Sequence, residues 1–308
     1  MKINKTFQRN IIGLYGDRGK LWLNQLPKLL KEFEQMLDIH IHPSFDNLSF
    51  NYVAPCTLAD GSHAVLKCVV PNKELITEIA ALKHFNGNGS AKLIRSDSEF
   101  GWVIIERLEP GVLLSSIKDD EITTRIFVNI MQQLHKPIKM DNEFPTIETW
   151  LKGFERLHQE FNGGTGPFPS EFVDCAEKLS KELLLSSRKR VLLHGDLHHY
   201  NILSSKRDNW LAIDPKGVVG EPEYEVGAFM KNPMPELMFL SHVEKLLARR
   251  IDIIAEMTGF DRQRLLAWSF VKAMLTAWWC YEGKIDGIKI LLSYAEVLKS
   301  LIEGKNKL

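Results

Sequence analysis

Hydrophobic and polar positions follow two different patterns along the chain, and the change comes near residue 107. In the first part, residues 45–55 and 63–70 alternate and carry β-branched side chains, which predicts two strands. The polar residues 59–62 between them predict a hairpin turn. Apolar residues three and four positions apart predict an amphipathic helix over 21–36. The first part is therefore expected to be a small β-sheet lobe.

The second part is expected to be mostly helical, because its apolar residues recur at helical intervals. Helices are predicted over residues 120–135, 147–161, 169–185, 237–258, 261–280 and 286–302. Between the two parts, residues 106–111 read Glu-Arg-Leu-Glu-Pro-Gly, and proline and glycine there end a strand predicted over 101–105. The sequence thus predicts an α+β protein with two lobes, residues 1–107 and 108–308.

One segment of the second lobe carries candidate chemistry: residues 194–201, His-Gly-Asp-Leu-His-His-Tyr-Asn, followed by Ile-Asp-Pro at 213–215. A carboxylate such as Asp196 can orient an acceptor hydroxyl and take its proton. Mg²⁺ prefers oxygen ligands, which the Asn201 amide and the Asp214 carboxylate supply. This combination is typical of phosphoryl transfer.

The segments beside this motif are predicted to bring its functional ends together. Mostly apolar runs at 190–193, 201–204 and 210–213 predict short strands, and the polar residues 205–209 predict the turn of a hairpin. The hairpin would hold Asn201 close to Asp214.

The motif and the residues around it, 191–233, closely resemble the aminoglycoside and hydroxyurea phosphotransferases of the streptomycin 6-kinase type, a branch of the protein-kinase-like fold. The resemblance covers most of the chain, since it extends to residues 50–55, 64–67, 78–82 and 104–111. It implies a bilobal fold in which Asp196 is the catalytic base and Asn201 and Asp214 hold Mg²⁺. It also implies that the backbone of Glu106 and Leu108 contacts the adenine of ATP.

Lys67, in the strand Ala-Val-Leu-Lys, is the candidate ligand for the α- and β-phosphates of ATP. Glu78 on the following predicted helix is the expected partner of its ammonium group, and Glu74, one helical turn earlier, is the alternative. These residues make 1–107 the predicted nucleotide-binding lobe. The hairpin lacks a glycine-rich phosphate loop, so Asn51 or backbone groups of residues 51–57 would contact the phosphates.

The three histidines of the motif have different expected roles. His198 stands where protein kinases usually have a lysine, and it either donates a hydrogen bond to the transferring phosphate or packs locally. His199 is expected to pack locally, and His194 to anchor the loop. A zinc hydrolase is a weaker alternative, because the order of Asp and His differs from its H-x-H-x-D-H pattern and only His242 follows His199.

Composition argues against a nucleic-acid or membrane partner and indicates where the protein is located. The 308 residues contain 39 Lys plus Arg and 39 Asp plus Glu, and a nucleic-acid binder would usually have a basic excess. No run of 18 apolar residues and no signal-peptide pattern occurs; the longest candidate, 265–280, is interrupted by Lys272. We therefore expect a cytoplasmic enzyme without a nucleic-acid or membrane partner. The oligomeric state is not predicted.

The sequence predicts an ATP- and Mg²⁺-dependent kinase acting on a hydroxyl of a small molecule, with an aminoglycoside of the streptomycin type as the best match. The alternatives are a kinase for a sugar, an amino alcohol or a hydroxyurea-like compound, or an inactive nucleotide-binding module. A cationic acceptor needs carboxylates nearby, and Glu221 and Glu223 are the candidates closest in sequence to Asp214. Glu225 in the same cluster is expected to brace the lobe.

Overall fold

The computed structural model describes residues 3–138, 144–187 and 189–304. Contacts between Cα atoms divide the chain into two compact units, Met1–Gly111 and Val112–Leu308. The sequence-based boundary after residue 107 lies in the same segment. The assignment of nucleotide binding to the first lobe and of catalysis to the second stays a prediction.

The first unit contains a five-stranded antiparallel sheet and two helices. The sheet has the order β1-β2-β3-β5-β4. Its elements are α1 (Lys5–Leu37), β1 (Ile39–Ile41), β2 (Tyr52–Leu58), β3 (His63–Cys68), α2 (Lys73–Phe85), β4 (Leu93–Asp97) and β5 (Trp102–Glu106). The predicted hairpin is β2 and β3, which pair in register with Ala54 opposite Leu66, but its first strand begins at Tyr52 and not at residue 45.

Helix α1 begins well before the predicted start at residue 21. The Asn4 side chain caps it by accepting a hydrogen bond from the Phe7 N–H, and the helix continues across a kink at Gly16. Gly16 has φ 57°, which a residue without Cβ adopts at little cost. Along α1, Phe7, Trp22 and other apolar residues share one hydrophobic core with the sheet.

The alternation of β3 decides where Lys67 points. Leu66 belongs to the core shared with α1, whereas Lys67 lies opposite Val103 of β5, and Val103 packs with Leu75 and Ile79 of α2. Lys67 therefore lies on the α2 side of the sheet.

The second unit is mainly helical, with two small sheets. Its helices are α3 (Asp120–Leu134), α4 (Ile147–Glu160), α5 (Ser170–Leu185), α6 (Val226–Met230), α7 (Val243–Thr258), α8 (Arg262–Glu282) and α9 (Ile288–Glu303). Its strands are β6 (Pro110–Leu113), which contains the division point, β7 (Val191–Leu193), β8 (Ile202–Ser205), β9 (Asn209–Ala212) and β10 (Val218–Gly220). The sheets have the orders β6-β8-β9 and β10-β7.

Helix α8 is the central element of this unit and is buried on nearly all sides. Asp261 caps it by accepting from the Arg264 N–H, as the sequence predicted. The single helix predicted over 237–258 is wrong in its first turn. Glu236–Phe239 forms a separate 3-10 turn, because the Met238 N–H donates to the Pro235 carbonyl, and α7 starts only at Val243.

The described part of the chain contains no helix that is both long and apolar enough to cross a membrane. Lys272, which interrupts the apolar run 265–280 in the sequence, lies in the middle of α8 and is only 3% exposed.

Candidate active site

The loop between β7 and β8 carries the motif 194–201, and a buried carboxylate fixes its first two peptides. Glu225 accepts hydrogen bonds from the His194 N–H at 2.6 Å and the Gly195 N–H at 2.9 Å. The Glu225 side chain is fully buried, with His135 Nε2 at 3.5 Å. The expected bracing role of Glu225 is therefore confirmed.

The ionisation of Glu225 depends on these partners. Burial raises the pKa of Glu225, but His135, His194 and the Gly195 N–H lower it further than burial raises it. Its net pKa lies below the ordinary value of a glutamate, so the carboxylate stays charged at neutral pH.

His194 anchors the loop to the segment that carries Asp214, as predicted. Its Nε2–H donates to the Ile213 carbonyl at 2.9 Å, while its Nδ1 accepts from the Asp196 N–H at 3.3 Å. The His194 carbonyl accepts from the Lys216 N–H at 2.7 Å. Burial lowers the pKa of His194, which favours the neutral ring that these two hydrogen bonds require.

Gly195 is required by both its backbone conformation and its surroundings. Its φ is 84°, and a Cβ atom at this position would lie 2.8 Å from the Trp150 ring. Any other residue at position 195 would therefore require the surrounding structure to rearrange.

Asp196 is 29% exposed, with its Oδ2 3.5 Å from His198 Nε2, and its carbonyl accepts from Asn201 Nδ2 at 2.9 Å. Burial raises the pKa of Asp196, but His198, Lys231 and Lys216 outweigh burial and hold the pKa well below its usual value. Asp196 is therefore ionised at neutral pH, as a proton acceptor must be.

The two neighbouring histidines differ in environment. His198 lies beside Asp196, and its Nδ1 accepts from the Tyr200 N–H at 3.2 Å. Its contact with a phosphate stays a prediction. His199 stacks on Phe229 with ring centroids 4.3 Å apart and is 2% exposed, which confirms local packing. Burial lowers the pKa of His199 well below its ordinary value.

The β8–β9 hairpin brings the two candidate Mg²⁺ ligands together. Ile202 pairs with Ala212, and the Ile213 N–H donates to the Asn201 carbonyl at 2.9 Å. Because Asn201 Nδ2 is bound to the Asp196 carbonyl, its amide oxygen points away from that bond. Asp214 follows in the left-handed region with φ 59°.

In the first unit, Lys67 Nζ contacts both carboxylate oxygens of Glu78, at 2.9 and 2.7 Å. Both side chains are buried, whereas Glu74 is exposed, so the structure selects the first of the two predicted partners. The Glu106 N–H donates to the Lys92 carbonyl at 2.9 Å. A predicted contact of Glu106 with adenine would therefore use its carbonyl oxygen. The contact of Leu108, which is 8% exposed, also stays a prediction.

Glu221 and Glu223 lie in different environments. Glu221 is 4% exposed; one of its oxygens accepts from Arg264 Nε at 2.6 Å, and both bond to other donors of Arg264 and Trp268. Both oxygens are thus occupied inside the protein, which argues against the predicted contact of Glu221 with a cationic acceptor. Glu223 is half-buried, and together with Glu221 it lines a cavity of about 610 Å³. Burial is the main cause that raises the pKa of Glu223.

The zinc alternative lacks a ligand set in the described ranges, where no group of three or more His, Cys, Asp or Glu side chains could hold a metal ion. The sequence analysis also missed one contact of the loop. Lys272 Nζ donates to the Gly195 carbonyl at 3.0 Å. Its signal in the sequence was a lysine inside an otherwise apolar run.

Comparison with known proteins agrees with this geometry. Residues 46–283 match the aminoglycoside/hydroxyurea antibiotic resistance kinase family. The chain belongs to this family. It is 25% identical to streptomycin 6-kinase of Streptomyces glaucescens over 300 residues, covering 94% of this chain and 93% of that protein. It is 26% identical to hydroxyurea phosphotransferase of Kitasatospora aureofaciens over 294 residues, covering 92% and 82%.

The fold is also found in solved structures. Choline kinase LicA from Streptococcus pneumoniae superposes with a TM-score of 0.62 at 15% identity, over 90% of this chain and 99% of that one. The predicted family and the predicted α+β, protein-kinase-like fold are therefore confirmed. As a member of this kinase family, the chain is an ATP-dependent phosphotransferase with a small-molecule acceptor.

Replacing Glu225 by Gln should leave one of the two loop N–H groups without an acceptor, which we expect to lower the free energy of unfolding at pH 7 by about 1–3 kcal/mol. Because folding lowers the pKa of Glu225, its stabilisation is present above the ordinary pKa of a glutamate and is lost as pH falls through the lowered value. The difference between wild type and variant should therefore shrink in acid, as measured by urea unfolding across pH.

The matched control is Glu121→Gln, since Glu121 forms an exposed ion pair with Arg249 and should change stability much less. Equal unfolding free energies for the Glu225 variant and the wild type at pH 7 would remove the bracing role.

Proposed function

We propose that the protein transfers the γ-phosphate of ATP, with Mg²⁺, to a hydroxyl of an aminoglycoside of the streptomycin type. The observation that carries the proposal is an ionised Asp196 next to two candidate oxygen ligands on one hairpin. The streptomycin 6-kinase that aligns with 94% of this chain supports the choice of acceptor.

Asp196 acts as the base in this proposal. Its carboxylate accepts a hydrogen bond from the acceptor hydroxyl, aims the hydroxyl oxygen at the phosphorus, and takes the proton as the new O–P bond forms. His198 Nε2 lies 3.5 Å from Asp196 Oδ2, next to the expected path of the transferring phosphate. That position supports a hydrogen bond from His198 to the phosphate.

Asp196→Asn should keep ATP binding and lower kcat by roughly a hundredfold or more, because an amide cannot take the proton. Turnover by coupled ADP release and ATP affinity by calorimetry separate the two effects. Asp208→Asn is the matched control, since Asp208 is exposed in the β8–β9 turn and should keep wild-type kcat. Full turnover by a correctly folded Asp196 variant would exclude Asp196 as the base.

Asn201 and Asp214 fit a Mg²⁺ ion by their chemistry. They offer an amide oxygen and a carboxylate on adjacent backbone segments, and Mg²⁺ usually takes one or two such ligands together with substrate phosphates. When bound, the ion neutralises charge on the phosphate oxygens. Lys216 Nζ lies 3.5 Å from Asp214 Oδ2.

Asp214→Ala and Asn201→Ala should each weaken the effect of Mg²⁺ on nucleotide binding, because each removes one oxygen ligand. Calorimetric titration with an ATP analogue, with and without Mg²⁺, measures this effect independently of turnover. An unchanged Mg²⁺ effect in both variants would contradict the assignment. Two tightly held zinc ions per chain, found by elemental analysis, would overturn the kinase mechanism itself.

In the first unit, we assign the nucleotide contacts to three residues, one of which is held by Glu78. Lys67, fixed by its ion pair with Glu78, is the proposed ligand of the α- and β-phosphates. The Glu106 carbonyl and the Leu108 N–H are the proposed partners of adenine. Lys67→Met should weaken ATP binding in calorimetry, and unchanged binding would exclude this role.

Glu223 is the remaining carboxylate of the predicted acceptor cluster. It lines a cavity, and it lies two residues before Glu225, which holds the catalytic loop. A cationic group of an aminoglycoside could form a charge-assisted hydrogen bond with it and would shift its raised pKa back down.

Glu223→Gln should raise the KM for streptomycin by about tenfold, which corresponds to the loss of one hydrogen bond to a charged group, and leave the KM for ATP unchanged. The matched control is Glu221→Gln, whose oxygens bond within the protein, so stability should fall instead of acceptor affinity. A KM for streptomycin that is the same in wild type and the Glu223 variant would exclude Glu223 from the acceptor site.

A hydroxyurea-like acceptor is the second candidate, favoured by the 26% identity to the Kitasatospora aureofaciens hydroxyurea phosphotransferase. Mass spectrometry of products from a panel of aminoglycosides, hydroxyurea, sugars and amino alcohols distinguishes the two. Phosphorylation of uncharged compounds alone would make the aminoglycoside assignment wrong while the kinase assignment stands.

A further inference from the structure

Lys272 is a buried lysine that the mechanism above does not use. It lies in the middle of α8, is 3% exposed, and donates through Nζ to the Gly195 carbonyl at 3.0 Å. Gly195 comes directly before the candidate base, Asp196. A charged side chain from a distant helix therefore contacts the catalytic loop one residue before its reacting group.

Three aromatic rings surround the ammonium group. Its Nζ lies 4.5 Å from the ring centroid of Trp150, 4.8 Å from that of Tyr224 and 5.3 Å from that of Trp279. Three π faces and one carbonyl oxygen thus take the place of water around the buried ammonium group.

Backbone packing keeps Lys272 in this position. A Cβ at Gly227 of α6 would lie 2.8 Å from the Lys272 Cβ. Helices α6 and α8 therefore approach each other closely at Lys272. The Trp150 ring also lies 2.8 Å from the position of a Cβ at Gly195. The Trp150 ring therefore lies against both Lys272 and Gly195, whose carbonyl accepts the hydrogen bond from Lys272.

The two polar backbone groups of Gly195 are held from opposite sides. Glu225 accepts from its N–H at 2.9 Å, and Lys272 donates to its carbonyl at 3.0 Å. Glycine has the largest backbone freedom of any residue, so these two hydrogen bonds restrain the peptide that sets the direction of Asp196.

We infer that Lys272 is a positioning residue for phosphoryl transfer: its ammonium group fixes the Gly195 carbonyl and so orients Asp196, and its charge helps to keep that carboxylate ionised. The inference rests on the proposed role of Asp196 as the base. A purely structural role would predict a different result, since replacing Lys272 would then change stability and leave the kcat of the folded protein unchanged.

The charge of Lys272 depends on pH in an accessible range. Burial lowers the pKa of Lys272 to about 8; Asp196 and Glu225 raise it, while Lys231 and Lys216 lower it. Lys272 is therefore charged below about pH 8 and loses its proton above it. Deprotonation should weaken its hydrogen bond to Gly195, so kcat should fall on the alkaline side.

The test compares Lys272→Met and Lys272→Arg with Lys245→Met, an exposed lysine on α7 as the control. Lys272→Met should lower kcat by roughly tenfold to a hundredfold, the scale of a misplaced catalytic group, with an unchanged KM for ATP, both measured well below the Tm of the variant. Lys272→Arg should retain more activity and lose the alkaline decline near pH 8. Wild-type kcat in Lys272→Met would overturn the inference.

A second measurement does not need turnover. In protein with ¹³C-labelled lysine, NMR titration of Lys272 should give a pKa that falls when Asp196 is replaced by Asn, since Asp196 raises it. An identical Lys272 titration in both proteins would overturn the coupling. If the wild type phosphorylates no aminoglycoside, the kcat values of the same variants are measured with the acceptor that the wild type does phosphorylate. The aminoglycoside assignment and the positioning role of Lys272 can then fail independently.

Discussion

The catalytic loop depends on the pair of hydrogen bonds that the buried Glu225 carboxylate accepts from the His194 and Gly195 N–H groups. A loop that connects β7 to β8 leaves its backbone groups without sheet partners, and burying them unpaired would cost stability. Glu225 satisfies two of them with charge-assisted hydrogen bonds. Because the restrained peptides lie directly before Asp196, the same bonds that stabilise the loop also set the direction of the candidate base.

Local charges, and not the net charge, determine the electrostatics of this loop. The chain as a whole is neutral, yet three basic residues act on the Asp196 carboxylate: His198, Lys216 and Lys231. These neighbours hold the pKa of Asp196 low although burial acts in the opposite direction. An ionised carboxylate next to a site for phosphate needs such compensation, since phosphate would otherwise raise the pKa of the base.

Two buried lysines show two solutions to the same physical problem. Lys67 in the first unit forms an ion pair with Glu78, which suits its proposed role as a phosphate ligand. Lys272 in the second unit lies among aromatic rings and one carbonyl, with a pKa lowered to about 8. The second arrangement makes the charge of Lys272 sensitive to pH near 8.

The sequence by itself determined the family, the β2–β3 hairpin, the hairpin that joins Asn201 to Asp214, and the two candidate partners of Lys67, between which the structure selected Glu78. Each of these depends on spacing within a short stretch of chain, and spacing along a helix or strand fixes which side chains meet. Only the tertiary structure decided that Glu221 is bonded to Arg264, 43 residues away, and that Lys272 contacts Gly195 across 77 residues. Contacts over such separations depend on how α8 packs against the loop, and no local pattern encodes that packing.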